Sequence, residues 1–255
     1  MSRQACTLLV SSCDNYRDLW APYFALIRRH WPDCPFPMAL ISEESVPNLP
    51  VSGVENLCLG GGHDWSSLLK MALERVRTPV VLLSLEDFFL RRRVDTNRIL
   101  RLLDLMNAQN IPMLRLSPRP GPNKIWPGNE EIGVIEPGAP YRVSTQAALW
   151  RVSVLHALLS EGESAWEFER AGSRRSSHLD KFASVWAEAF PYRHHVIERG
   201  EWFPWSAKRF VREDIGVDLS ARPVMSTRTA VSWIGRKAMG PALRWASTMR
   251  HFTIR

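Results

Sequence analysis

Short apolar runs alternate with stretches of helical periodicity through the first half of the chain. Residues 5–12 (ACTLLVSS) form a run of strand length, and the segment after it carries Leu19, Tyr23, Ile27 and His30 or Trp31 at helical spacing. Residues 37–42 (PMALIS) make a second strand. Beyond the triplet Gly60-Gly61-Gly62, Asp64 is placed to cap a helix whose Trp65, Leu69, Ala72 and Val76 share a face. The strongest strand signal is PVVLLSLEDFFL, residues 79–90. Asp95 or Thr96 then caps a helix over NRILRLLDLM, and IPMLRL at 111–116 returns to strand. Strand and helix alternating at this rhythm predict an α/β fold with a Rossmann-type, mostly parallel sheet flanked by helices.

The second half is less regular. Residues 117–140 hold six prolines and four glycines, a density at which we expect no regular element, so the segment reads as a lid or binding loop or as a surface insertion. Further strands are expected at YRVSTQAALW (141–150) and YRHHVI, and helices at RVSVLHALLS, SAWEFERAG, SSHLDKFASVWAEAF and around SAKRFVRED. No domain boundary stands out before residue 220.

Charge changes this picture in one respect. Of the net charge of +7, none belongs to residues 1–220, which hold 26 of the 33 basic and all 26 acidic residues. The excess sits in residues 221–255, so a general polyanion or nucleic-acid binder is not expected. The chain therefore divides into a body at 1–220 and a basic C-terminal tail at 221–255. In the tail Ile234, Ala238, Ala242 or Leu243, Ala246 and Met249 align on one side, an amphipathic pattern suited either to an anionic membrane surface or to packing against the body. Cys6, Cys13, Cys34 and Cys58 lie in the first quarter with no C-x-x-C pair, which reads as free thiols. With no secretory-type leader and no 18-residue apolar run, the expectation is a cytoplasmic protein, peripheral at most.

Ligands of open α/β sheets bind beyond the carboxyl ends of the strands. That edge receives Ser11-Ser12-Cys13-Asp14 after the first strand and Glu86-Asp87 after the strongest one. Adjacent carboxylates closing an apolar run either ligate a divalent cation, Mg²⁺ or Mn²⁺, or divide between capping a turn and facing solvent. Ser164 and Glu167 have capping-box spacing, while Glu169, between Phe168 and Arg170, has the character of a general base if Trp166 and Phe168 shield it and raise its pKa. Arg174-Arg175 can serve as a solvated face or as a diphosphate ligand. Eleven tryptophans against four tyrosines, several beside polar turns (Trp65, Trp126, Trp150, Trp166, Trp202, Trp205), offer flat faces for sugars or bases as readily as core packing. There is no G-x-G-x-x-G, no Walker-type lysine loop and no G-x-S-x-G elbow.

The succession SSCDNYRDLW, DWSSLLKMAL, VVLLSLEDFFL, STQAALW and SAWEFE resembles bacterial nucleotide-sugar glycosyltransferases of the GT-A fold, of the surface-polysaccharide type, over about residues 5–215. The resemblance implies transfer of a sugar from a nucleotide-diphosphate donor to a carbohydrate or lipid-linked saccharide acceptor, at the inner face of a membrane. It places Ser11, Ser12, Asp14 and Asp64, with Arg174 and Arg175, on the donor side. Glu86 and Asp87 stand where the family has a spaced Asp-x-Asp metal motif, a departure that bears on metal dependence. It makes Glu169, with Glu167 beside it, the nearest match to an inverting base, and puts Gln146, Trp150 and Trp166 on the acceptor side. A nucleotidyltransferase on a similar sheet and a non-catalytic carbohydrate-binding or scaffold protein are the other classes that fit.

Overall fold

A computed structural model describes residues 5–235, which divide by their contacts into two compact units, one ending at His194 and one beginning at His195. Residue 220, where the sequence places the boundary, falls inside the second unit. Of the tail's amphipathic seam only Ile234 falls within the described residues; the rest lies outside them.

In the first unit β1 (Cys6–Ser11), β2 (Met38–Ser42), β3 (Val54–Cys58) and β4 (Val80–Leu85) are parallel, in the order β3-β2-β1-β4. The sheet continues through β8 (Ala148–Arg151), β5 (Met113–Arg115), β9 (Ala183–Val185), β7 (Asn129–Val134) and β6 (Lys124–Trp126). β8 runs antiparallel to both β4 and β5, and β9 runs parallel to β5. The mixed α/β architecture with a central sheet between helices is the one the pattern predicts. Parallel strands buried on both faces need continuous apolar sequence, and Leu8, Leu9, Val10, Val80, Val81 and Leu82 are all fully buried.

Helices cover both faces. Leu9, Val81, Leu83, Met113, Ala148 and Trp150 share a core with α2 (Trp65–Arg75), α4 (Val152–Leu158) and α5 (Ala165–Arg175). On the opposite face Tyr23 of α1 (Trp20–His30) donates from Oη to Ser84 Oγ at 2.9 Å, and Trp31 Nε1 donates to Thr96 Oγ1 of α3 (Thr96–Ala108) at 2.8 Å. The caps fall as expected: Asp64 accepts from the Ser67 amide, and Asp95 from the Arg98 amide. Gly60 and Gly62, at φ +87° and +82°, supply the left-handed backbone of the turn between β3 and α2.

Two expectations are corrected. Residues 117–140 hold the antiparallel hairpin β6–β7 despite their prolines and glycines. Two buried guanidiniums hold the chain on either side of the hairpin. Arg115 donates to the carbonyls of Pro120 (2.5 Å), Tyr141 (2.6 Å) and Arg142 (3.0 Å), tying both legs of the hairpin together. Arg142 donates to the carbonyls of Ile135, Ser176 and Leu179, with its guanidinium carbon 4.1 Å from the Phe182 ring centroid. The helix expected over residues 176–190 is a short 3-10 turn, Ser176–His178, followed by β9. Lys181 at φ +62° breaks the helix, and the apolar triplet Ala183–Val185 fills the slot between β5 and β7.

The second unit, described by itself, has a two-stranded ribbon of β10 (Ile197–Glu198) and β11 (Glu201–Trp202), then α6 (Pro204–Arg212) and helical residues 227–235. Phe203, Met225, Ala230 and Trp233 form its core, and the His195 ring meets Trp233 edge-on at 4.6 Å.

Candidate functional site

The strand directions gather chemistry at one edge. β1, β2, β4, β5 and β9 all end there, and β8, running the other way, begins there. Residues 11–14, 42–45, 85–87, 115–117, 145–147 and 186 are therefore neighbours of that edge, although they span most of the first unit.

Between β1, β2 and β4 the edge is acidic. Asp14 and Glu43 clasp each other: the Asp14 amide donates to Glu43 Oε2, and the Glu43 amide donates to Asp14 Oδ1, each at 3.0 Å. Asp14 Oδ2 also accepts from the Glu44 amide, the Ser45 amide and Ser45 Oγ, at 3.1, 2.9 and 2.7 Å. Burial pushes the Asp14 carboxyl up, but these donors outweigh it and hold it below the usual carboxylate range. The Cys13 thiol is pushed up to about 11, by burial first and then by the charges of Glu86, Glu43 and Asp14. That displacement reports three carboxylates around one thiol.

Most of the residues expected on the donor side have their side chains committed to this framework. Ser12 Oγ accepts from Trp20 Nε1 at 2.7 Å, Asp64 caps α2, and Ser11 is buried. The Arg175 guanidinium makes a two-pronged pair with Glu163, at 2.7 and 2.6 Å, and bonds the Leu158 carbonyl, so it is held in the framework by four of its five N–H groups. Arg174 is exposed on the last turn of α5. Glu86 is buried and lies by Cys13, whereas Asp87, half-buried in the turn after β4, lies by Tyr192.

Around the start of β8 sits a second polar group. Glu169 of α5 is 9% exposed, and its Oε1 accepts from the Thr145 amide (2.7 Å) and Thr145 Oγ1 (3.0 Å). Both bonds fall on one oxygen. α5 is held there by Ser173 Oγ, which accepts from the Val143 amide and donates to the Glu169 carbonyl. Gly172 lets the helix approach closely, since a Cβ there would stand 3.2 Å from both Phe168 and Val143. Arg115 lies next to Glu169 and Tyr192; burial pushes its guanidinium down to about 10 against their opposing pull. Tyr192 Oη donates to Gln146 Oε1, its ring stacks on Phe88 at 4.1 Å, and burial, with Asp87 nearby, raises its phenol well above the ordinary value.

The surroundings of Glu169 differ from those expected. Trp166 is 70% exposed and Phe168 packs on Trp65; the hydrogen bonds that position Glu169 come from Thr145. Glu167 forms the capping box with Ser164, and these bonds lower its carboxyl from the usual range. Trp150, expected on the acceptor side, is fully buried, edge-on against Phe182. Gln146 does stand at the edge. Sequence reasoning missed Arg115, Thr145 and Tyr192, although an arginine inside the apolar run IPMLRL was a signal that a buried charge had work to do.

Among the described residues no group of three or more His, Cys, Asp or Glu side chains is placed to hold a metal ion, and no helix is long and apolar enough to cross a membrane.

No family model and no curated protein matches the sequence. Among solved structures the chain is similar to S. aureus TarS 1-349 in complex with UDP-GlcNAc, with 12% identity, 84% of this chain and 68% of that one covered, and a TM-score of 0.49. It is similar to the 2-C-methyl-D-erythritol 4-phosphate cytidylyltransferase of Thermus thermophilus, with 15% identity, 75% and 93% covered, and a TM-score of 0.41. The bifunctional IspDF of Campylobacter jejuni gives 13% identity and a TM-score of 0.37; the match covers 68% of this chain and spans only 47% of that protein. Similarity at this level leaves the reading of the site to its own geometry.

Proposed function

We propose that this chain is a nucleotide-sugar-dependent glycosyltransferase that binds its donor along the acidic strand edge and activates the acceptor hydroxyl with Glu169. The observation that carries this reading is the placement of Glu169. Thr145 fixes one of its oxygens, and a buried arginine lies alongside, at the same sheet edge as Asp87. A carboxylate held by one oxygen presents the other in a defined direction, as a base that takes a proton from a positioned hydroxyl must. The fixed orientation serves inverting displacement, in which the acceptor oxygen attacks the anomeric carbon as the diphosphate leaves from the opposite side.

The donor side has the wrong sign for a bare diphosphate. Asp14, Glu43, Glu86 and Asp87 make the edge anionic, and Arg175 is already paired. A divalent cation, Mg²⁺ or Mn²⁺, resolves the repulsion. Such ions commonly use one or two carboxylates plus substrate phosphates, which suits Asp87, with Glu86 the more buried of the two. When bound it would offset charge on the departing diphosphate. Gln146 and Tyr192, joined by a hydrogen bond, border the space between Asp87 and Glu169. A saccharide or lipid-linked acceptor would enter there, and the tail's approach to an anionic membrane belongs to the same proposal.

The test is a thermal-shift panel of uridine, guanosine, adenosine and thymidine diphosphate sugars, each with Mn²⁺ or with chelator. One base series should raise the Tm with metal and lose the effect with chelator. Stabilisation by nucleoside triphosphates alone would favour a nucleotidyltransferase, and indifference to every nucleotide a pure carbohydrate binder.

A further inference from the structure

Trp186 is the exposed tryptophan with the most constrained seat in the first unit. It follows β9, and its amide donates to the Glu131 carbonyl at 3.2 Å. Its ring lies back over β7, where a Cβ on Gly133 would stand 2.7 Å from Trp186 Cζ2, 2.7 Å from Pro122 Cβ and 2.6 Å from the Lys124 carbonyl. Gly133 has no positive φ, so its backbone does not require glycine. Glycine inside a strand weakens it, and here the gain is room for the Lys124 carbonyl and Pro122 of the neighbouring segment together with the indole. Register puts Ile125, Gly133, Ser184 and Arg115 in one row across β6, β7, β9 and β5, hence on one face of the sheet. Ile125 is 73% exposed and Trp186 is 45% exposed, so this row ends in an open apolar platform. The segment beyond the tryptophan is pinned: Arg98 donates to the Ala187 and Glu188 carbonyls at 2.8 and 2.9 Å and pairs with Glu131.

We infer that Trp186, seated on Gly133 and flanked by Ile125, is a stacking subsite for a pyranose ring of the acceptor. A flat indole with its Cζ2 packed over Gly133 and substantial open area offers apolar contact without the cost of ordering a loop, and the CH face of a pyranose matches it. Gly133 is two strands from Arg115, about 10 Å at the usual strand spacing, and Arg115 adjoins Glu169. The platform thus lies on the same sheet face as the base, displaced from it rather than beside it. That is the place for a sugar next to the reacting one. The inference rests on the transferase reading and names where its acceptor extends.

The test uses the full chain and saturation-transfer NMR with cellobiose, maltotriose, lactose and chitobiose, alongside the nucleotide thermal shift. At least one disaccharide or trisaccharide should show transfer. Trp186→Ala should weaken it at least tenfold, and Trp186→Tyr should retain part of it. The nucleotide shift should be the same in both. Binding unchanged in Trp186→Ala, or no sugar of the panel bound by the wild-type chain, overturns the subsite. A drop in solution mass in Trp186→Ala also overturns it, because the platform would then be a self-association face. Loss of the nucleotide shift in the wild-type chain would strike the donor reading alone.

Discussion

Two side chains, Glu169 and Asp14, each make a separable prediction at the scale of single residues. Glu169 is held by Thr145 through one oxygen, so Glu169→Gln preserves the hydrogen-bond acceptor and removes the base. Turnover of the donor in the presence of acceptor should fall by roughly 10²–10⁴-fold while calorimetric donor affinity stays within about twofold. Wild-type turnover would remove Glu169 from the mechanism. Asp14 makes a pH prediction. Its carboxyl is depressed by its donors, so the stability it contributes is fully present above the unfolded carboxylate pKa of about 3.9 and is lost as pH falls through the lower folded value. Wild-type urea midpoints should therefore decline from pH 5 to pH 2.5 more steeply than those of Asp14→Asn; parallel profiles would contradict this. Asp14, Ser12 and Asp64 look like ligand-binding residues in the sequence because short polar side chains at strand ends serve both purposes. Which purpose wins depends on whether backbone amides elsewhere claim them, and Glu43, Glu44 and Ser45 are 29–31 positions from Asp14.

At the scale of elements, local signals were reliable where one physical demand dominated. The caps at Asp64, Asp95 and Ser164 and the apolar strands β1, β2 and β4 form where the pattern puts them. The hairpin β6–β7 and strand β9 were illegible for a common reason: their stability comes from partners distant in sequence. Arg115 and Arg142 reach across 26–37 positions to satisfy loop carbonyls, and β9 exists because β5 and β7 leave a slot. The capping box is testable directly. Ser164→Ala should destabilise the protein by about 1 kcal/mol in urea titration and leave nucleotide binding unchanged, since it fixes only the start of the helix that bears Glu169. A loss of donor affinity instead would mean that the N-terminus of α5 itself meets the donor.

For the whole molecule, the first unit brings its chemistry together by strand direction. Residues near positions 14, 43, 86, 115, 145 and 192 share an edge because six strands point there or start there. The α/β class and the edge were legible from periodicity and the strand-end rule; Arg115, Thr145 and Tyr192 were not, since only their three-dimensional neighbours give them meaning. The acidity of the edge makes the proposed donor site testable, because carboxylates near a diphosphate repel it and a divalent cation would offset that repulsion. The most direct measurement is calorimetric titration of the preferred nucleoside diphosphate into the wild-type chain and into Asp87→Asn, each with Mn²⁺ and with chelator. The account predicts binding by the wild-type chain with metal, at least tenfold weaker binding with chelator, and a similar weakening in Asp87→Asn. Affinity unchanged by both chelator and substitution would contradict it.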